Sequence, residues 1–289
     1  MIYRFKPSDV FQAPDFPIAC RVMSHVSLFP HRHDFHELVV ILDGTARHVL
    51  DDQETMLGAG DVFLVRGKMT HGWSEGRNLK HVDVYFDPLR LRLPLSELRD
   101  LPGYHALFHV QPRLRPFNRT HDQLRLSPPD LAKVGVLLTQ LQSELSEQQP
   151  GYRFIACAHL LKILRFLSLC YTRADHPDAR HLLQCGEVLS HVERHIAEPL
   201  TVGQLARVAH MSESTLTRMF QRVTGRPPMD HVIRVRIARA QELLQQGMRI
   251  TEAAFQCGFN DGAYFSRQFR KVAGMTPREF RSRELHRDA

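Results

Sequence analysis

Four side chains able to bind a metal or a polar ligand lie in the first quarter of the chain: His31, His33 and Glu37, with His71 downstream. His31 and His33 are two positions apart, so on an extended strand both point to one face. Three imidazoles and a carboxylate form a ligand set suited to a divalent transition metal. The same groups could instead hydrogen-bond a small polar molecule, with Trp73 as an aromatic wall beside them. The spacing leaves both readings open.

A second set of residues suits nucleic acid. Leu205–Pro228 (LARVAHMSESTLTRMFQRVTGRPP) and Ala253–Pro277 (AAFQCGFNDGAYFSRQFRKVAGMTP) run in parallel, each passing from a small apolar helix through a tight turn into an amphipathic helix carrying Arg-x-Phe, then to Gly and Pro. Thr201 is placed to cap the first helix and Ser212 the second. Ala206 and Ala254 keep side chains small where helices cross. His210 and Gly258 occupy turn positions that need positive φ, where Gly is the default and His is tolerated. Leu216 and Phe220, and Phe265 and Phe269, step by four toward a core. Ser214, Thr217 and Arg218 are left on the outer face of one helix. Gly262, Ala263, Tyr264 and Arg267 are left on the other, where Asn260 or Asp261 is the cap. Gly225 and Gly274 read as C-caps, and Pro228 and Pro277 as helix starts. The intervening helix, about 228–246, spans roughly 28 Å, against about 34 Å for one DNA turn.

These side chains must be positioned by two different architectures. Residues 1–110 read as β-rich, with the barrel at about 15–110. Glu37–Leu42 is a buried strand closed by an Asp43-Gly44 turn, and Ala46–Leu50 pairs back on it as a hairpin. A second turn at Gly58–Asp61 leads into Val62–Val65. His81–Phe86 alternates as a half-buried strand does. Short strands between Gly turns suggest a small barrel or jelly roll. Residues 111–128 read as an irregular connection. Helices follow at about 129–171, and the first carries an apolar seam of Leu131, Val134, Leu138, Leu141 and Leu145. The seam is either packing within one subunit or a dimer interface, and the interface is the expectation. The polar stretch 173–180 reads as the linker, between a domain at 1–172 and an all-α domain at 181–289.

Composition sets the class. The net charge of +7 is concentrated in 181–289, with sixteen Lys/Arg against eleven Asp/Glu. The basic residues there are nearly all Arg, which makes forked contacts to phosphate and guanine. Five cysteines with no CxxC spacing read as reduced thiols of a cytoplasmic protein. No signal pattern opens the chain, and the apolar run Phe154–Tyr171 is interrupted by His159, Lys162 and Arg165, as in a core helix; no membrane association is expected.

The C-terminal segment, about Leu183–Leu285, resembles the AraC/XylS family of transcriptional regulators, above all in IRVRIARAQELL and GFNDGAYFSRQFRKVAGMTPREFR. The resemblance implies base-edge contacts from Ser214, Thr217 and Arg218, and from Gly262, Ala263, Tyr264 and Arg267, with Arg236 on phosphate. Gly262 and Ala263 are small, so the first helix is expected to carry more of the reading. The N-terminal pattern H-x-H-x3-E-x6-G, from His31 through Gly44, resembles the cupin barrel. Arg66, Lys68 and Glu75 depart from the usual Pro, Gly and Asn. FPHRHDFHELVVILDGTARHVL and GDVFLVRGKMTHGW are similar to the sensor domains of the rhamnose-responsive branch of that regulator family. The implied protein is an α+β two-domain chain: a cupin-like effector-binding barrel with a helical dimerisation segment, then an all-α domain with two helix-turn-helix motifs. It is expected to be an activator rather than an enzyme, a homodimer on double-stranded DNA that works with RNA polymerase. His31, His33, Glu37, His71 and Trp73 would line a pocket for a small-molecule effector of the sugar class. No cofactor is expected; were a divalent metal bound, His31, His33, Glu37 and His71 would hold it. The alternative is a metal-dependent cupin enzyme fused to a DNA-binding module.

Overall fold

Two long strands organise the N-terminal sheet. β4 (His36–Leu50) and β7 (His71–Phe86) pair antiparallel along most of their lengths. On its other edge β7 takes β3 (Leu28–Arg32) beside its first half and β2 (Ile18–Met23) beside its second. β4 likewise takes β6 (Asp61–Val65) and then β5 (Gln53–Gly58). The short strands β1 (Tyr3–Arg4) and β8 (Leu124–Arg125) extend the order to β1-β3-β7-β4-β6-β8. This computed structural model describes residues 2–24, 27–51, 53–67, 69–114, 124–173 and 177–285. Lys68, part of the 111–128 connection and part of the 173–180 linker lie outside the described residues. Among the described residues the sheet is an open path with two ends rather than a closed barrel.

The expected Asp43-Gly44 hairpin is not formed. β4 runs straight through this pair as a strand of 15 residues, while its register against β7 shifts between Ile41 and Arg47. Gly44 sits at φ 73° with the carbonyls of Arg77 and Asn78 where a side chain would be. A bulge of this kind bends and twists a strand without ending it. Ala46–Leu50 therefore pairs with β5 and β7, and the chain reverses only at Asp51, φ 40°. Across the bend, Val39, Ile41, Ala46, Leu50, Leu57, Phe63, Val65, Trp73 and Leu79 share one core.

Short helices flank the sheet. α1 is Pro7–Val10, and α2 (Pro102–His105) continues through a π-turn at Ala106–Val110 into α3 (Gln111–Leu114). The expected irregular connection thus begins as helix. α4 (Pro128–Glu147) starts at Ser127, whose hydroxyl accepts the Asp130 amide, and α5 (Tyr152–Thr172) follows. α4 packs on α5 and β2. Val134, Leu138 and Leu141 are 0%, 2% and 0% exposed within a single chain, with Leu131 and Leu145 half-buried. The seam is therefore interior packing, and the expectation that it forms a dimer interface is corrected. α5 is long and apolar enough to cross a membrane by composition, but a stripe from Ala156 through Leu160, Ile163, Leu164 and Leu167 to Tyr171 is buried in this fold.

The chain divides into two units, 1–186 and 187–289, so the division falls inside α6 (Pro177–Arg194) rather than in 173–180. The Cα of Gly186 lies against the Pro102 carbonyl, which holds the first half of α6 to the sheet-bearing unit. The second unit is helical: α7 (Val202–Val208), α8 (Glu213–Thr224), α9 (Pro228–Gln245), α10 (Ile250–Gln256), α11 (Gly262–Ala273) and α12 (Pro277–Leu285). α9 packs against α8 and also against α10, α11 and α12, so one helix supports both halves.

Candidate DNA-reading face and buried histidine cluster

The sheet brings the four predicted N-terminal residues together. β3 pairs with β7 so that His31 faces His71, and β4 carries Glu37 opposite Tyr85. His33 Nε2 lies 2.8 Å from Glu37 Oε2 and 3.1 Å from His71 Nε2. His71 Nε2 is 3.3 Å from the same carboxylate oxygen. One ligand atom from each of His31, His33, Glu37 and His71 falls within 4.8 Å of the others, and all four residues are buried. Burial raises the Glu37 carboxyl above its ordinary value, against the lowering pull of its bond to His33.

The cluster is larger than the sequence suggested. His48, His81 and Asp83 are also buried, at 0%, 0% and 2% exposure. His81 Nδ1 lies 2.7 Å from Asp83 Oδ1, and the Tyr85 hydroxyl donates to Asp83 Oδ2 at 3.1 Å. Burial, reinforced by Glu37 and Asp83, pushes the Tyr85 hydroxyl pKa up, so it stays a donor. The ring of Trp73 stands between His48, at 4.7 Å, and His81, at 4.9 Å. The alternation in His81–Phe86 places His81 and Asp83 on one face and Val82, Val84 and Phe86 on the other, and both faces are buried. The segment expected to be half-buried is covered on both faces, with Tyr85 alone half-buried. A polar residue at every second position of a strand with no solvent face is the signal that marks His81 and Asp83.

In the helical unit the local chemistry follows the sequence closely. Thr201 accepts the Gln204 amide and Gln204 reaches back to the Thr201 amide, a complete capping box. Ser212 caps α8 and Asp261 caps α11. His210 and Gly258 stand at φ 53° and 75°, and Gly225 and Gly274 end α8 and α11 in the left-handed region. Leu216, Phe220, Phe265 and Phe269 are buried. Ser214, Thr217 and Arg218 are exposed on α8, and Gly262, Ala263, Tyr264 and Arg267 on α11. Arg222, one turn beyond Arg218, is exposed as well, and neither arginine makes an ion pair among the described residues. The Arg267 guanidinium lies 5.9 Å from the Tyr264 ring centroid, which holds both on one face.

Arg236, expected on phosphate, is engaged within the protein. Its Nε donates to the Ile196 carbonyl at 2.9 Å, Nη1 to Gly258 at 3.0 Å and Nη2 to Glu198 at 2.6 Å. Burial lowers its pKa somewhat. A Cβ at Gly258 would crowd the carbonyls of Ile196 and Ala197 and the Arg236 guanidinium, so this glycine is required for close approach as well as for φ. Arg236 thus fastens the turn of the second motif to the segment that precedes the first.

Two helix-turn-helix motifs with exposed polar faces, carried on a shared helix and joined to a β-rich domain with a polar interior, define a transcription regulator. Residues 205–283 match the helix-turn-helix domain family, and residues 17–164 the AraC-like ligand binding domain family. The chain is 30% identical over 279 residues to the HTH-type transcriptional activator RhaS of Klebsiella pneumoniae (strain 342), covering 95% of each. It is 26% identical over 260 residues to the HTH-type transcriptional activator RhaR of Escherichia coli (strain K12), covering 89% of this chain and 88% of that one. The solved DNA-binding domain of AdpA, in complex with a target DNA, is similar at 32% identity over 35% of this chain and 92% of that one, with a TM-score of 0.34. The chain belongs to the AraC family of transcription regulators.

Proposed function

We propose that this protein is a cytoplasmic transcriptional activator whose N-terminal unit binds a small polar effector of the sugar class and whose C-terminal unit reads double-stranded DNA. The observation that carries the DNA reading is the matched pair of exposed faces, Ser214, Thr217 and Arg218 on one helix and Tyr264 and Arg267 on the other, with Gly262 and Ala263 adding shape rather than side-chain contacts. Arg218 is exposed and unengaged by any acid among the described residues, so it can fork onto a base edge. Arg218→Ala lowers affinity for the cognate operator by about 1–3 kcal/mol and affinity for random DNA much less. Fluorescence anisotropy with both DNAs measures the difference. An equal loss on the two would remove the base-reading role.

The effector reading rests on the polar interior. His33, Glu37 and His71 form one buried polar group, and His81 and Asp83 form a second beside the indole of Trp73, the kinds of side chain a hydroxyl-rich ring would want. These groups are enclosed by the sheet, so an effector has to favour an arrangement in which the rim has opened, and that differential affinity is what would shift the regulator. Calorimetric titration of the full chain with a panel of sugars should give one saturable ligand that also raises transcription. A panel with no binder would overturn the sugar class.

We assign the active form as a homodimer that works with RNA polymerase. Large apolar side chains left exposed on the helical segment, Val136 at 59% and Phe154 at 77%, support a second copy there. The relatives' designation as activators supports the polymerase contact. It also speaks against the enzyme alternative, since neither relative is named for a reaction.

A further inference from the structure

We infer that the cleft between β2, α4 and the segment 10–16 is a second small-molecule site, which takes a small carboxylate with an apolar body. The inference goes beyond the effector reading and does not depend on it. β2 is hydrogen-bonded on one side only, to β7, and α4 packs against it. The cleft beside it holds about 270 Å3, and none of the clustered histidines lines it. That volume is just below the range of about 300–1,000 Å3 typical of ligand pockets, so the occupant is small.

The lining sets the chemistry. Val10, Phe16, Ile18, Ala19 and Leu145 make an apolar floor, and Gln12, Gln142, Gln148, Ser146 and Tyr152 a polar rim. One charged side chain, Arg21, lines the cleft, and no acid does. Arg21 Nη2 donates to the carbonyls of Asp9 at 3.2 Å and Val10 at 2.8 Å, and the guanidinium lies 6.0 Å from the Tyr85 ring centroid. These contacts hold the group in place. It makes no ion pair among the described residues, and an arginine has five N–H donors, so donors remain for a ligand. Cys20 adds no negative charge, because burial pushes its thiol up to about 12. Gln148 Nε2 donates to Gln12 Oε1 at 3.0 Å, which leaves the Gln12 amide nitrogen as a further donor.

A cation and amide donors above an apolar floor fit a molecule with a carboxylate at one end and hydrocarbon at the other. A sugar suits the cleft poorly, because the side chains of the floor carry no hydrogen-bonding group. A bound carboxylate joins β2, through Arg21, to the segment 10–16, through Gln12, and so adds to the stability of the N-terminal unit. Val10 and Ala19 also share a core with Phe11 and Phe35, and the Phe35 ring stacks on His33 at 4.4 Å. Occupancy of the cleft therefore bears on the wall of the buried cluster, which gives the regulator a second chemical input.

The test titrates the full chain with hydrocinnamate and isocaproate in a calorimeter, with hydrocinnamamide as the uncharged counterpart. At least one carboxylate should saturate a single site per chain and raise the melting temperature. The amide should bind about tenfold more weakly or worse, since it forfeits the charge-assisted bonds to Arg21. Arg21→Gln should weaken carboxylate binding by a similar factor. Ser146→Trp, at an exposed position of α4 on the rim, should block the cleft without lowering the melting temperature. A folded parent that takes up neither carboxylate, or uptake that is unchanged in both variants, overturns the inference. A sugar that binds a parent indifferent to both carboxylates removes this site and leaves the effector reading standing.

Discussion

Arg236→Ala destabilises the C-terminal unit by about 2–4 kcal/mol and weakens binding to every DNA sequence, while the salt dependence of that binding stays unchanged. Three backbone carbonyls, of Ile196, Glu198 and Gly258, lose a charged donor at once. Each such bond is worth about 1.5–3 kcal/mol, and water entering the gap recovers part of the loss. The fork geometry matters as much as the charge, so Arg236→Lys restores only part of the stability. Urea unfolding reads the first effect, and anisotropy at several salt concentrations the second. A stable variant whose salt slope falls by about one would instead return Arg236 to the DNA backbone.

Leu138→Asp unfolds the N-terminal unit. Leu138 is 2% exposed within one chain, on the face of α4 that packs against α5 and β2. Removing its side chain costs about 2.7–5.0 kcal/mol, and an unpaired buried carboxylate adds several more. The sum approaches the entire stability of a typical domain. The expected result is loss of the N-terminal transition in urea or thermal unfolding, with the C-terminal unit still folded. A well-folded variant that changes only from dimer to monomer in light scattering would put the seam back at an interface. A contact between copies is better sought at Phe154, which is exposed and can be charged without opening a core.

What could be read in the sequence divides along physical lines. Caps, turns and helix ends are local, so Thr201, Ser212, His210, Gly258 and the two C-cap glycines were legible from residue type and offset alone. The amphipathic faces of α8 and α11 were legible because a period of 3.6 residues separates Leu216 and Phe220 from Arg218. The Asp43-Gly44 pair misled because its local preference for a turn is overridden by β7, which pairs with β4 on both sides of the bulge. The seam of α4 misled for a related reason: a pattern states that a face is apolar, not what covers it. Of the buried cluster, the metal-like spacing exposed His31, His33, Glu37 and His71. His81 and Asp83 were hidden because alternation assigns polar side chains to solvent, and here both faces of the strand are covered; His48 was hidden among the apolar residues Ala46 and Leu50 on the buried face of β4. Arg236 was visible as a charge, but the three carbonyls awaiting it come from distant parts of the chain.

The close seating of Gly258 against Ile196, Ala197 and Arg236 would set how the regulator measures an operator. With the second motif's turn fastened to the entry of the first, and α9 packed on both, α8 and α11 as two recognition helices would work as a caliper of fixed opening. Each base pair inserted between the two contacted stretches would rotate one away from the other by about 34–36°. Spacing and helical phase within a half-site would then be selected as strictly as the bases, and an operator with every correct letter but one extra step would be gripped by one helix at a time.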